Sequence, residues 1–164
     1  MLAKERTSMT DLAIGAKAPD FDLPGNNGRI ISLAAYMGKP LVLYFYPKDD
    51  TPGCTTEAIS FSQLLSDFEK EGASVVGVSP DSVKRHDSFA KKRELTIALA
   101  SDESTEVSQR YGVWKEKSMY GKKYMGIERT TFLIDAEGKI ARIWPKVKVA
   151  GHAEEVLEAV GALK

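Results

Sequence analysis

The chain has 164 residues, with 23 lysines and arginines against 23 aspartates and glutamates, and 43% of it is hydrophobic. That length suits one domain with a sizeable core, and the balanced charge offers nothing to draw nucleic acid or an anionic membrane. The single cysteine, Cys54, excludes an intramolecular disulfide, so packing must hold the fold together.

The stretch from Met1 to Met9 lacks the apolar centre of a signal peptide, and no segment reaches the roughly 18 to 20 apolar residues that span a bilayer. The expectation is a soluble, cytoplasmic protein. Positions 1–14 read as an N-terminal extension, disordered over its first eight or so residues and with Met9 as an alternative start, and positions 15–164 as the folded domain.

In chain order, Ala18–Pro24 and Arg29–Leu33 flank the turn Gly25-Asn26-Asn27-Gly28, which predicts an N-terminal β-hairpin. Leu41-Val42-Leu43-Tyr44-Phe45-Tyr46 is a continuous apolar run, the pattern of a strand buried on both faces. A polar loop punctuated by Pro47, Pro52 and Gly53 follows. Ala58, Phe61, Leu65 and Phe68 then recur at helical spacing. Thr51 followed by Pro52 reads as an N-cap and first helical residue, which sets Cys54 in the opening turn. Unpaired N–H groups and the positive end of the helix dipole favour a thiolate there.

Ala73–Val78 reads as a second buried strand, and Ser79-Pro80 as the cap of a helix reaching about Lys92. Thr96–Ala100 is a short third strand, followed by a brief helix over about Ser104–Tyr111 that Gly112 stops. From Val113 to Arg129 the pattern is irregular and reads as a functional loop, with Trp114, Tyr120 and Tyr124 as packing residues. Thr130–Asp135 and Lys139–Trp144 form a hairpin, and Ala153, Val156, Leu157 and Val160 mark a last amphipathic helix. His86 and His152 fall in polar, helix-like surroundings and read as solvated or capping residues rather than metal ligands. The element order is that of an α/β fold with a central, mixed β-sheet flanked by helices.

Pro47-x-x-x-Thr51-x-x-Cys54 resembles the active-site signature of the peroxiredoxins. The wider run Tyr46-Pro47-Lys48-Asp49-Asp50-Thr51-Pro52-Gly53-Cys54-Thr55 is similar to the bacterioferritin-comigratory, or PrxQ, branch. The likeness runs from about Gly15 to the C-terminus and implies a thioredoxin-like fold carrying the N-terminal hairpin. It also implies peroxide reduction, with Cys54 as nucleophile and no metal, flavin or haem. Such a reaction needs an activated sulfur, an aligned O–O bond and stabilisation of the departing negative charge. N–H groups at Gly53 and Cys54 supply dipoles, Thr51 can hydrogen-bond the peroxide, and Pro47 stiffens the loop and helps shield the thiolate from water. Sequence alone does not choose the cation among 23 candidates. The resemblance assigns it to Arg129, within Gly126-Ile127-Glu128-Arg129-Thr130-Thr131-Phe132. Glu57, three residues after Cys54, shares its helix face and is a partner for Arg129, although a direct approach of its carboxylate to the sulfur would oppose the thiolate.

One departure matters. Many members of the branch carry a resolving cysteine five residues after the first, and others carry it on the next helix; here the first position is Ile59, and Asp81–Lys92 contains none. The expectation is therefore a one-cysteine enzyme whose sulfenic acid is resolved by an external thiol such as thioredoxin, glutaredoxin or a small thiol. Hydrogen peroxide or an alkyl hydroperoxide is the substrate, and the working unit is a monomer rather than a dimer. A peroxide-responsive redox sensor or interaction protein using the same oxidation is the alternative. A thioredoxin-type oxidoreductase is disfavoured by the absence of a Cys-x-x-Cys pair.

Overall fold

The computed structural model describes residues 12–163. The expected disorder over the first residues and the alternative start at Met9 lie outside them. The N-terminal hairpin forms, with β1 (Asp22–Pro24) antiparallel to β2 (Ile30–Ser32). The central sheet comprises β3 (Leu41–Phe45), β4 (Ser74–Ser79), β5 (Ala98–Ser101), β8 (Thr130–Ile134) and β9 (Ile140–Trp144). Its strand order is β5-β4-β3-β8-β9. β3, β4 and β5 run parallel, while β8 and β9 are antiparallel to their neighbours, so the sheet is mixed.

Helix α1 (Pro52–Gln63) follows β3, α2 (Leu65–Lys70) precedes β4, and α3 (Val83–Arg93) links β4 to β5. The short α4 (Glu106–Arg110) and the terminal α5 (His152–Gly161) complete the helices. Because β3 sits mid-sheet, both of its faces are covered. Leu41, Leu43 and Phe45 enter one apolar cluster with Phe21, Ile31, Tyr111 and Phe132. Val42, Tyr44 and Tyr46 enter the other with Ala58, Phe61, Phe89 and Val156. The period of two along a strand produces this division, and Cys54 lies in the second cluster.

Four expectations are corrected. The helix after Cys54 does not run unbroken to Phe68: it breaks at Leu64, whose φ of −95° and ψ of 3° lie off the helix, and Leu65 is only partly buried. The helix after β4 is capped by Ser82, whose hydroxyl accepts from Arg85 N at 3.2 Å, because the Ser79 hydroxyl donates instead to Asp81. The stretch from Val113 to Arg129 is no irregular loop. It forms β6 (Trp114–Met119) and β7 (Lys122–Ile127), paired antiparallel across Tyr120-Gly121. Both turn residues have positive φ, 53° and 78°, as a two-residue type I′ turn requires. Lysines and glutamates on the strands hid the alternation. Tyr120 is 98% exposed and Tyr124 is also exposed, so of the three aromatics only Trp114 packs against the core. Finally, His86 and His152 are buried rather than solvated. His152 Nε2 lies 2.8 Å from Thr131 Oγ1, and burial pulls its pKa down to about 4.

No helix among the described residues is long and apolar enough to cross a membrane. One packing constraint beneath the site is especially tight. Tyr44 stacks on Phe61 with ring centroids 4.7 Å apart and faces Gly77 across the β3–β4 register. A Cβ at position 77 would lie 2.7 Å from Tyr44 Cζ and 2.8 Å from its hydroxyl oxygen. A buried ring cannot swing aside freely, so Gly77→Ala is predicted to destabilise the fold by about 1–3 kcal/mol. Urea unfolding measures this directly, and an unchanged midpoint would show that the ring relaxes at no cost.

Candidate active site

The site is built where β3 gives way to α1. Tyr46 is buried, Pro47 is half-buried at the start of the loop, and Asp50 turns the chain with a φ of 61°. Lys92 and Arg93 of α3 hold the Asp50 carboxylate at 2.7 and 2.9 Å. Thr51 occupies the N-cap position with extended backbone angles and Pro52 opens the helix, as the spacing indicates. The Thr51 side chain does not cap, however: its hydroxyl donates to Lys48 O at 2.8 Å, inside the loop. Its oxygen keeps its accepting capacity. Cys54 is the third residue of α1 and is 1% exposed, with its sulfur at the helix end where N–H groups lack helical partners.

Arg129 arrives from the junction between β7 and β8. Its backbone is anchored by its carbonyl, which accepts from Val147 N at 2.9 Å, and by its neighbour Glu128, whose N–H donates to Val113 O at 2.8 Å. The guanidinium forks: Nη2 donates to Cys54 Sγ at 3.4 Å, and Nη1 donates to Glu57 Oε1 at 2.7 Å. Gly53 permits this approach, since a Cβ there would stand 3.2 Å from Arg129 Nη2. Cys54, Gly53, Glu57 and Arg129 are thus brought together. Thr51 lies in the preceding turn, and Pro47 enters through its place in the loop.

Glu57 is 1% exposed, and burial raises its pKa to about 7 against the opposing pull of the Arg129 charge and hydrogen bond. Its second oxygen, Oε2, is buried without a hydrogen-bond partner among the described residues, as is the Tyr44 hydroxyl. The carboxylate therefore holds Arg129 through one oxygen, and the cation stands on the sulfur.

A second polar cluster beneath the loop was not visible in the sequence. Asp49 is 3% exposed and accepts from the Tyr46 hydroxyl at 2.6 Å, and its other oxygen lies 2.6 Å from His86 Nδ1. Asp81 Oδ2 accepts from Asp49 N at 2.7 Å and from the Ser79 hydroxyl at 2.7 Å. Asp49, Asp81 and His86 bring ligand-type atoms within 4.8 Å of one another. Those atoms are already committed to hydrogen bonds, so the group is a structural network rather than a vacant set of metal ligands. Asp49 and His86 are 37 positions apart, and a polar helix gives no hint that its single histidine is buried.

A sulfur at a helix N-terminus beside a fixed guanidinium is suited to nucleophilic attack in which negative charge grows on a leaving oxygen. The chain matches the AhpC/TSA family model over residues 14–143. It is 50% identical to Peroxiredoxin Bcp of Xanthomonas campestris pv. campestris over 156 residues, covering 94% of this chain and 98% of that one. It is 48% identical to Peroxiredoxin Bcp of Bacillus subtilis over 149 residues, covering 91% and 95%. Among solved structures it is similar to the Xanthomonas campestris bacterioferritin comigratory protein, described for its alkyl peroxide reduction activity, with a TM-score of 0.86 and 47% identity over 92% of this chain and 98% of that one. A thioredoxin-like sheet, a lone cysteine at the start of α1 and relatives of this kind lead to one conclusion: the chain belongs to the AhpC/TSA family as a peroxiredoxin of the Bcp/PrxQ kind, a thiol-dependent peroxidase.

Proposed function

We propose that the Cys54 thiolate attacks one oxygen of hydrogen peroxide or a small organic hydroperoxide. The S–O bond forms as the O–O bond breaks; sulfur is oxidised to a sulfenic acid, and the other oxygen leaves as hydroxide or alkoxide and takes up a proton. The observation that carries this reading is the Arg129 fork, which places one nitrogen 3.4 Å from the sulfur and anchors the other on Glu57. Arg129 stabilises the thiolate and then the charge leaving along the O–O bond. Thr51, its proton engaged by Lys48 O, accepts a hydrogen bond from the peroxide and so aligns it. Gly53 keeps the guanidinium close, and Pro47 stiffens the loop.

Recycling follows from the cysteine count. No second cysteine exists to close a disulfide within the chain, so an external thiol condenses with the sulfenic acid, releases water and leaves a mixed disulfide. A second thiol then frees Cys54. Thioredoxin, glutaredoxin and a small thiol are the reductant classes. At 1% exposure the sulfur is beyond their reach, so the first turn of α1 must open after oxidation. A monomer is the working unit in this reading. An unpaired reduced thiol suits the cytoplasm.

Two outcomes are expected. With excess hydrogen peroxide and each reductant supplied separately, at least one class sustains many turnovers and Cys54→Ser abolishes them. A single turnover with every reductant, ending in a stable mixed disulfide, would instead favour a sensor. The second concerns Glu57. Its folded-state pKa of about 7 exceeds its ordinary value of 4.5, so the folded form holds a proton through that window which the unfolded chain has released. Its contribution to stability is full below about 4.5 and is lost as pH rises through about 7. Wild type should therefore lose stability relative to Glu57→Gln between pH 5 and pH 8. Urea midpoints measure it, and a wild type that gains on the variant over that range would contradict the burial argument.

A further inference from the structure

The cluster beneath the loop has no part in the roles assigned above, and its geometry is restrictive. His86, on α3, is 0% exposed and has a polar neighbour at each ring nitrogen. Nε2 lies 2.9 Å from Ala100 O on β5, and a carbonyl can only accept, so Nε2 carries a proton. Nδ1 lies 2.6 Å from Asp49 Oδ2, so one further proton lies between imidazole and carboxylate. The other Asp49 oxygen already accepts from Tyr46. Both contacts of His86 are therefore made, and Asp49 is balanced by that shared proton although it is buried. Asp81 faces the same loop, taking Asp49 N with one oxygen and Arg85 with the other.

Asp49 lies in the middle of the segment from Pro47 to Thr51. Its neighbour Asp50 turns the chain through the left-handed region, and Thr51 closes back on Lys48 O. The direction of the Thr51 hydroxyl thus depends on where Asp49 is held. We propose that His86 is a positioning residue for peroxide reduction: it clamps Asp49 to β5 and so sets the loop that presents Thr51 to the peroxide. It acts through Asp49, at a distance from the sulfur, and the proposal rests on the peroxidase reading above.

The test compares two reactions of Cys54 in reduced wild type, His86→Leu, Asp49→Ala and the double variant His86→Leu/Asp49→Ala. One is oxidation by hydrogen peroxide, which needs Thr51 and an aligned O–O bond. The other is alkylation by iodoacetamide, which needs a thiolate and the opening of the first turn of α1 but neither Thr51 nor an aligned O–O bond. In each single variant the peroxide rate is expected to fall about ten- to a hundredfold, with the alkylation rate equal to or above that of wild type. Because His86 acts through Asp49, the double variant is expected to lose no more than either single variant, and losses that multiply would show that the two residues act separately. Equal losses in both reactions, or no loss in either, would overturn the proposal. If His86→Leu fails to fold, Asp49→Ala makes the same comparison, because it removes the contact from the other side. A wild type no faster with peroxide than a free thiol would instead sink the peroxidase reading itself, an outcome distinct from unaffected variants.

Discussion

The guanidinium of Arg129 is shared between a sulfur and a carboxylate, and the chemistry assigned to this chain depends on that division. One nitrogen anchored on Glu57 at 2.7 Å fixes the plane of the group, and the other is thereby aimed at Cys54. A lysine ammonium would bring charge without the fork. The arrangement has a cost: Glu57 is almost wholly buried, one of its oxygens has no partner among the described residues, and burial lifts its pKa to about 7. A buried carboxylate of this kind adds little to stability by itself. Its value lies in orientation, and the central sheet must be firm enough to hold it.

That firmness comes from β3. The strand is buried on both faces and pairs with β4 on one side and β8 on the other, so the two halves of the site are tied to one element. The loop to Cys54 leaves the end of β3, and Arg129 stands immediately before Thr130, which pairs with Phe45. Tyr44 on the strand and Tyr46 just beyond its end form the floor under α1, stacked with ring centroids 5.4 Å apart. Tyr46 continues that floor into the polar cluster through its hydrogen bond to Asp49. Fold and site therefore share residues. The same buried strand that resists unfolding also forms part of the apolar cluster in which Cys54 is buried.

Much of this was legible in the chain because the signals were local. The apolar run Leu41–Tyr46, the Thr51-Pro52 helix start and the stripe through Val156 and Val160 each follow from one element's own period. Cys54 stood out as the single cysteine at a helix start. Arg129 was different: nothing in periodicity distinguishes it among 23 cations, and only resemblance to a family pattern pointed to it. The β6–β7 hairpin was hidden because both of its faces are largely polar, so a period of two left no apolar trace. His86 was misread because burial on α3 is imposed by a tertiary partner, Asp49, which is remote in sequence. The break at Leu64 has the same character: the apolar spacing continues across it, and only the backbone angles reveal it.

The most direct measurement is the stopped-flow rate at which hydrogen peroxide oxidises the reduced protein, followed by tryptophan fluorescence with intact mass of the product, in wild type, Cys54→Ser, Arg129→Ala and Arg129→Lys. The account predicts a wild-type rate orders of magnitude above that of a free thiol and none for Cys54→Ser. It predicts a loss of about a hundredfold or more for Arg129→Ala, with only partial recovery in Arg129→Lys, since a point charge cannot bridge sulfur and carboxylate together. An Arg129→Ala protein as fast as wild type would contradict it, and would mean that the fork seen in the structure does not activate Cys54.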